Sequence, residues 1–580
     1  MSGPLGAFSA QEPSAKYIVQ VAPALVRGFG LFSTSLGAIA KLRELILSLA
    51  VQGKLVLQDQ EDEPARLALG RMQAIKARLI ADGKVKRDKT GADIDDREMP
   101  FDLPPGWDWA PLNHLTSVLN GRAYAKQELL DAGTPVLRVG NLFTSKHWYY
   151  SNLTLEEAKY CTAGDLLFAW SASFGPFIWP GPKAIYHYHI WKLALHSESD
   201  LDKNFLYTFL LGKTQEMKAS GHGVSMIHMT KEAMEKIVVP LPPLAEQHRI
   251  VARVEELMKL CDALEQRGRL ADEQHARLTS TLFDALAASE SAHALAENWQ
   301  RIAAHFDLLL DRPEAIDALE QMILQLAVRG LLLPQILGEA SADQLLSHVI
   351  ARRRTSDGDA ESNTSNLSES VAQDAQLFPV RDSWRWVRVE EVCEVQGGIQ
   401  KTQLRRPVKN HFPYLRVANV QRDRLNLDRI ERYEVTDEEV ERWALKAGDL
   451  LVVEGNGSAD EVGRCAVWDG SVSPCVFQNH LMRVRPDVAE TVGFLKLFLN
   501  SPDGAAEMKR LAVTTSGLFN LSVGKIRKIP VPLPPLAEQH RIVARVEELR
   551  RLCAQLRERL TAARHTQSLH ADALVSQATS

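Results

Sequence analysis

Pro502-Asp503 followed by Glu507-Met508-Lys509 supplies the residue types of a metal-dependent nuclease centre, two carboxylates and a lysine. In such centres the Asp and the Glu-x-Lys element stand farther apart, on neighbouring strands that jointly hold the metal. Here three residues separate Asp503 from Glu507, and the stretch reads as a helix start with Asp503 near its N-terminus, where a carboxylate suits the helix dipole. His187 and His189 would share one strand face as a metal pair, but no third ligand is in view, so a structural or DNA-facing role is the competing reading. Gly212-Lys213-Thr214 supplies the tail of a phosphate-cradling loop, yet Tyr207 stands where the first glycine belongs. An adenine methyltransferase needs Asn-Pro-Pro-aromatic to hold a flipped base, and no Asn-Pro-Pro occurs. The six cysteines (Cys161, Cys261, Cys393, Cys465, Cys475, Cys553) form no CxxC pair, which suits reduced thiols and no zinc site. The expectation is a chain with no catalytic residues and no metal of its own.

The elements that would carry any site come in two copies. Val239–Leu257 and Val531–Leu549 both read VPLPPLAEQHRIVARVEEL, an offset of 292 residues. Leu42–Gln58 (LRELILSLAVQGKLVLQ) matches Leu319–Gln335 (LEQMILQLAVRGLLLPQ) at an offset of 277, as does Trp107-Asp-Trp109 with Trp384-Arg-Trp386. Pro135–Asn141 matches Pro413–Asn419, and Ala163–Leu167 matches Ala447–Leu451. The offset drifts inside one region while its flanks stay alike, so two copies of a scaffold carry two modules of different loop content. A duplicated chain is pseudo-twofold, which suits a partner that also comes in two parts, such as DNA read at two half-sites.

The pattern predicts a leader at 1–35, a helical region and linker at 36–99, a mixed module at 100–243 and a long helix at 244–290. A second helical region and linker at 291–377, a second module at 378–535 and a second long helix at 536–577 follow. β-like runs include Pro135–Val139, Asp165–Trp170, Asp449–Glu454 and Cys465–Val467. Prolines 242–243 and 534–535 break a strand and open the long helices, where a missing N–H is tolerated. A heptad seam runs through Ile250, Val254, Leu257, Cys261, Leu264, Ala271, Leu278, Leu282 and Ala285, interrupted by Gly268 and His275. Its counterpart runs through Ile542, Val546, Leu549, Cys553, Leu556, Leu560, Ala563 and Leu574, interrupted by Gln567 and His570. His275 and Gln567 are equivalent; a polar residue there could fix register, or the seam could be locally solvated. Helices of about 40 residues span ~60 Å. Paired with each other they run antiparallel and hold the modules apart, allowing two sites about one DNA turn apart, ~34 Å, to be read from one face. The fold class is therefore α+β: two mixed α/β modules joined by long helices pairing as an antiparallel coiled coil, with an internal pseudo-twofold duplication.

Hydrophobic content of 45%, charged content of 24% and a net charge of −5 describe an ordinary globular protein, so nucleic-acid binding must rest on local patches. No apolar run approaches the ~20 residues of a membrane span, and the N-terminus lacks a signal-peptide pattern. No membrane partner and a cytoplasmic location are expected.

PLPPLAEQHRIVARVEEL after each module resembles the repeated regions of Type I restriction–modification specificity subunits. LRELILSLAVQGKLV and PFDLPPGWDWAPL look like the branch of that family with a longer N-terminal extension. The resemblance covers about Leu36 to Leu574. It implies that each module is a target recognition domain reading one half of a bipartite, asymmetric site in double-stranded DNA. It also implies that the helices dock two modification (methyltransferase) subunits, with Leu257, Cys261, Leu264, Leu549, Cys553 and Leu556 on the docking and spacer helices. S-adenosylmethionine would be bound by those subunits, and ATP with Mg by separate restriction (translocase) subunits; this chain would bind no cofactor.

Within that frame, Gln396–Arg432 is the basic segment, with nine Lys/Arg against three acids, opening on Gly397-Gly398, which lets backbone approach a partner closely. Lys401 and Arg406 suit phosphate anchoring. Gln400, Gln403, Arg405, Arg416 and Asn419 are candidate base readers, with Asn456 and Ser458 in the next loop, because forked or amide donors match base edges. In the first module Arg122, Tyr124 and Lys126 take the place of the Gly-Gly loop, Arg138 and Asn141 match Arg416 and Asn419, and Ser171, Ser173 and His222 stand in later loops. The matched residues could equally support the fold, because different half-sites demand different readers. A self-sufficient enzyme is disfavoured by the missing motifs. A coiled-coil scaffold for protein partners is disfavoured by the basic segment.

Overall fold

The computed structural model describes residues 37–83, 85, 99–171, 174–220, 229–289, 291–336, 338–356, 371–400, 402, 405–456, 458, 461–515 and 518–579. The chain divides into two compact units, Met1–Asp272 with Ala563–Ser580, and Glu273–Ala562. Both boundaries fall inside the long helices, Leu244–Ala287 and Leu536–Thr579.

The first unit opens on the helix Ala38–Val51, whose Leu42, Leu45, Ile46 and Leu49 recur every three or four residues and are buried on one face. It stops because Gly53 takes the left-handed conformation (φ 68°), and only a residue without Cβ fits there beneath Pro104 and Trp107. The second unit repeats the device: helix Pro313–Val328 ends at Gly330 (φ 72°) beneath Trp384. A second helix follows in each unit, Ala65–Ala81 and Ala342–Ser356.

In the first module an antiparallel sheet runs in the order Thr116–Asn120, Ile190–Leu195, Leu166–Ala169, Gly175–Ile178. A second sheet runs Tyr149–Ser151, Thr134–Leu137, Ala184–Tyr186, Tyr160–Cys161, with a parallel pair at its centre, Val136 opposite Ile185. The second module repeats both. One sheet runs Cys393–Gly397, Leu481–Pro486, Leu450–Val453, Cys465–Val467. The other runs Glu431–Glu434, His411–Leu415, Val476–Phe477, with Tyr414 opposite Val476 in the parallel pair. The central strand Leu450–Val453 is buried at every position, which is why it reads as an unbroken apolar run rather than an alternation.

The nineteen-residue repeat forms the junction between module and helix. Val238–Leu241 pairs with Asp108–Pro111, and Pro530–Leu533 pairs with Arg385–Arg388, placing Trp109 opposite Pro240 and Trp386 opposite Pro532. Each long helix then starts with a buried Glu-Gln pair. Glu246 accepts from Trp107 Nε1 at 3.0 Å and from Gln58 Nε2 at 3.1 Å; Glu538 accepts from Trp384 Nε1 at 2.8 Å and from Arg381 Nη1 at 3.0 Å. Gln247 and Gln539 donate to the carbonyls of Pro242 and Pro534 at 3.0 and 2.8 Å.

Each unit's core takes the start of one long helix and the end of the other. Ile250, Val254 and Cys261 are buried in the first unit together with Ala571; Ile542, Val546 and Cys553 are buried in the second with Phe283, Leu286 and Ala287. The expected seam departs from this burial beyond Gly268. Leu278 is 53% exposed while Thr279 is 1% exposed, and Leu286 is buried where Ala285 was expected. An α-helix drifts ~20° per heptad against a strict seven-residue repeat, so after five heptads the buried stripe has moved about one residue. Ala571, equivalent to Thr279, is buried in the same phase. His275, for which the sequence leaves register fixing and a locally solvated seam both open, bonds Leu308 O at 3.0 Å and lies 3.3 Å from Asp311 within its own unit; Gln567 is exposed. No described helix is long and apolar enough to cross a membrane.

Candidate nucleic-acid interface

Both modules build the same turn. In the first, Gly121 packs so tightly on the carbonyls of Tyr186 and His187 that a Cβ could not fit; in the second, Gly398 does so on Phe477 and Gln478. The close approach made by Gly398 is thus to the module's own backbone, which corrects the expectation that the Gly-Gly opening serves an outside partner. The backbone bonds correspond one for one. His187 N–H donates to Leu137 O and Gln478 N–H to Leu415 O, both at 2.9 Å; Tyr188 N–H donates to Arg122 O and Asn479 N–H to Ile399 O, both at 3.0 Å. Trp170 N–H reaches His189 O at 3.1 Å, as Glu454 N–H reaches His480 O at 2.9 Å. The three-residue turns 187–189 and 478–480 are therefore one rigid element in two copies.

Around the first turn the side chains are rings. Trp170 lies 5.0 Å edge-on to His189 and 6.0 Å from Tyr188, its Nε1 donating to Tyr188 O at 2.8 Å. Tyr124 lies 6.4 Å from His187 and beneath the Arg122 guanidinium, 5.4 Å from its ring centre. Burial, then His189 and Arg138, pull the His187 imidazole down to about 4, so it is neutral at physiological pH. His189 N–H approaches its Nδ1 at 3.4 Å, which places the ring proton on Nε2. Burial pushes the Tyr124 hydroxyl up to about 12. Arg122 pairs with Glu128 at 2.7 Å; Lys126 is exposed; exposed Arg138 lies over Tyr149 at 5.2 Å. Ser171 is buried, and Ser173 and His222 lie outside the described residues.

Around the second turn the side chains are amides and a carboxylate. Gln478 and Asn479 are half-buried, and His480 Nδ1 stands 3.3 Å from Glu454, whose carboxyl burial holds above its ordinary range. Gln400 is exposed beside this turn. Arg405 makes a two-pronged pair with Glu439 at 2.9 and 2.7 Å, and Arg416 pairs with Glu431 at 2.8 Å. Arg406, Lys409, Arg424 and Arg429 are exposed. Asn456 lies on the short strand Gly455–Asn456 and Ser458 is exposed; Lys401 and Gln403 lie outside the described residues.

The matched asparagines are engaged by the fold. Asn419, 3% exposed, accepts from Arg416 N–H at 2.9 Å and donates to Asn426 O and Arg429 O at 2.9 Å each. Asn141 accepts from Arg138 N–H at 3.1 Å and donates to His147 O at 2.7 Å. The fold-supporting reading, left open by the sequence, describes these two residues. On the long helices Cys261 and Cys553 are buried, and Leu257, Leu264, Leu549 and Leu556 are half-buried.

The other chemical candidates are absorbed by packing. Asp503 sits at the start of helix Pro502–Leu511 and pairs with Arg329 at 2.8 Å, while buried Glu507 pairs with Arg510 at 2.7 Å, so they do not converge. Gly212-Lys213-Thr214 lies inside helix Lys203–Ser220, not in a loop. All six cysteines are buried and unpaired; burial pushes the thiols of Cys161, Cys465 and Cys475 up to about 12. Among the described residues no group of three or more His, Cys, Asp or Glu could hold a metal.

Comparison with known proteins adds the following. The family description "Type I restriction modification DNA specificity domain" matches residues 104–272 and 381–563. The chain is 29% identical to the Type I restriction enzyme EcoAI specificity subunit of Escherichia coli over 93% of its own length and 94% of that protein's. It is 30% identical to the EcoEI specificity subunit, also from Escherichia coli, with the same two coverages, 93% and 94%. Among solved structures, the HsdS subunit from Thermoanaerobacter tengcongensis matches with a TM-score of 0.36 and 18% identity over 83% of this chain and 98% of that one.

Proposed function

Because the chain belongs to the specificity subunits of Type I restriction–modification systems, a non-catalytic DNA-specificity class, we propose that its two modules each read one half of a bipartite, asymmetric DNA site. The long helices then pair antiparallel as the spacer, and the two junctions dock two methyltransferase subunits. S-adenosylmethionine belongs to those subunits and ATP with Mg to the restriction subunits; this chain supplies the address in the cytoplasm.

One observation carries this reading: two copies of one backbone frame present different side chains at the same place, rings in one module and amides in the other. Different readers on one frame suit two different half-sites. The exposed basic residues of the second module suit phosphates, which position a protein on DNA without selecting sequence.

The docking part rests on the junction repeat. Its buried residues are explained by packing, but Ala245, His248, Ala252, Glu255 and Glu256 are exposed, as are their identical counterparts Ala537, His540, Ala544, Glu547 and Glu548. Identity at exposed positions beside divergent modules suits two copies of one partner.

The test is co-expression with the cognate methyltransferase subunit and sequencing of the modified bases. A two-part methylated site is expected, and exchanging residues 100–243 for another module should change one half only. Methylation unaltered by that exchange would overturn the reading.

A further inference from the structure

Within each module, polar side chains divide into those the fold consumes and those it leaves open. Asn141, Asn419, Arg405 and Arg416 all have partners within their own module. The amides of Gln478 and Asn479 and the hydroxyl of Tyr188 take no hydrogen bond among the described residues, and Tyr188 is 40% exposed. These open groups sit on the turns 187–189 and 478–480, the elements that both modules hold with the same backbone bonds and the same close glycine.

We propose that these turns are base-reading elements, through Tyr188 in the first module and Gln478 with Asn479 in the second, each facing base edges of double-stranded DNA. The inference rests on the DNA-reading assignment above and adds which residues select the base.

A reader must be held rigidly, since a misplaced fork loses its two-point match, and the paired backbone supplies that rigidity. It must also differ between modules that read different half-sites. The turns satisfy both conditions, whereas the matched Asn141 and Asn419 are held in place but do not differ between the modules, and their amides are taken up by backbone partners. The chemistry follows from the groups. An Asn or Gln amide offers one donor and one acceptor, matching the N6 and N7 of adenine, so the second turn favours adenine. The first turn offers a phenol beside the neutral His187 imidazole, on an aromatic floor, suited to a thymine methyl with one polar contact. Arg138 adjoins the first turn and exposed Gln400 the second, supplying further donors beside the reading group.

The experiment uses the full chain assembled with its methyltransferase subunits, bound to a DNA library randomised in both half-sites. Asn479→Asp keeps the side-chain shape but exchanges a donor for a second acceptor. It should lower affinity for the preferred base by roughly ten- to a hundredfold at one or two adjacent positions of one half-site, leaving the other half unchanged. Tyr188→Asn should move the other half-site alone. Asn479→Ala, which removes the amide without adding charge, should flatten the preference at the positions Asn479→Asp redirects. Profiles unchanged at every position, or affinity falling by one factor for all sequences as for a phosphate contact, would overturn the inference. If the wild-type complex itself shows no two-part preference, the DNA-reading assignment falls and takes this inference with it. A two-part preference that neither turn moves removes the inference alone.

Discussion

Replacing Glu538 with glutamine should weaken the second junction far more than Glu246→Gln weakens the first, although both lie in the same nineteen-residue repeat. At the second junction the carboxylate receives the indole N–H of Trp384 at 2.8 Å and a guanidinium N–H of Arg381 at 3.0 Å. Glutamine keeps one acceptor for the indole but turns a donor toward Arg381, losing a charge-assisted bond of about 1.5–3 kcal/mol. At the first junction the partners are neutral, and Gln58 Nε2 also donates to Gly53 O at 2.7 Å, so it is not stranded. Burial already holds the Glu246 carboxyl above its ordinary 4.5, so neutral glutamine also relieves a buried charge, for a net loss of about 0–1 kcal/mol. A difference of about 2 kcal/mol is roughly thirtyfold in local opening. Hydrogen exchange by mass spectrometry reads it in one sample, comparing peptides over 237–250 with those over 529–542, which differ in mass because Val238 stands where the second copy has Pro530. The pH dependence has a sign as well. An acid whose folded-state value is raised contributes stability below its ordinary value and loses it as pH rises through the folded one. Protection at the first junction should therefore fall between pH 4.5 and neutrality, and Glu246→Gln should remove that slope. Equal effects of the two substitutions, or a larger one at Glu246, would refute the assignment of Arg381 as the distinguishing partner.

Four further outcomes follow from other parts of the molecule. Asn419→Ala removes three hydrogen bonds at a buried site, so thermal unfolding of the second unit should show a loss of about 2–4 kcal/mol. Any residual DNA binding should keep its base preference. Arg406→Ala and Lys409→Ala should each weaken binding uniformly across sequences and reduce the salt dependence by about one phosphate's worth, read as the slope of log affinity against log salt. Leu278→Ala should stay within about 0.5 kcal/mol, because the side chain is exposed. Thr279→Val should be neutral or stabilising by about 1 kcal/mol in a melting experiment, because the Thr279 hydroxyl is buried without a partner and the equivalent residue is Ala571. A large loss at Leu278 would restore the strict heptad seam.

Much of the architecture was legible because it rests on periodicity and punctuation. The strand Cys465–Val467 coincides with its predicted run, and prolines 242–243 and 534–535 mark the strand-to-helix junctions. The long helices were legible for four turns and then drifted, because 3.5 and 3.6 residues per turn diverge slowly and only the packed core shows which period holds. The candidate site was less legible. Residue type alone cannot separate an asparagine that ties a loop, such as Asn419, from one whose amide the fold leaves open, such as Asn479. Both are amides, and the difference lies in whether carbonyls distant in sequence converge on them. His187 and His189 drew notice as a metal pair, yet the turn they share with Tyr188 acquired meaning only beside its counterpart, Gln478–His480.

By itself, then, the sequence determined the duplication, the two modules, the helical junctions and the family, because these are written in repeats, spacing and local backbone preference. The tertiary structure decided which polar groups the fold consumes. It spent Asn141, Asn419, Arg405 and Arg416 on internal partners, and it held two unlike turns on one frame with Tyr188, Gln478 and Asn479 open. That division follows from hydrogen bonding: a buried donor or acceptor must find a partner inside the protein, and which groups are buried depends on contacts between strands far apart in the chain.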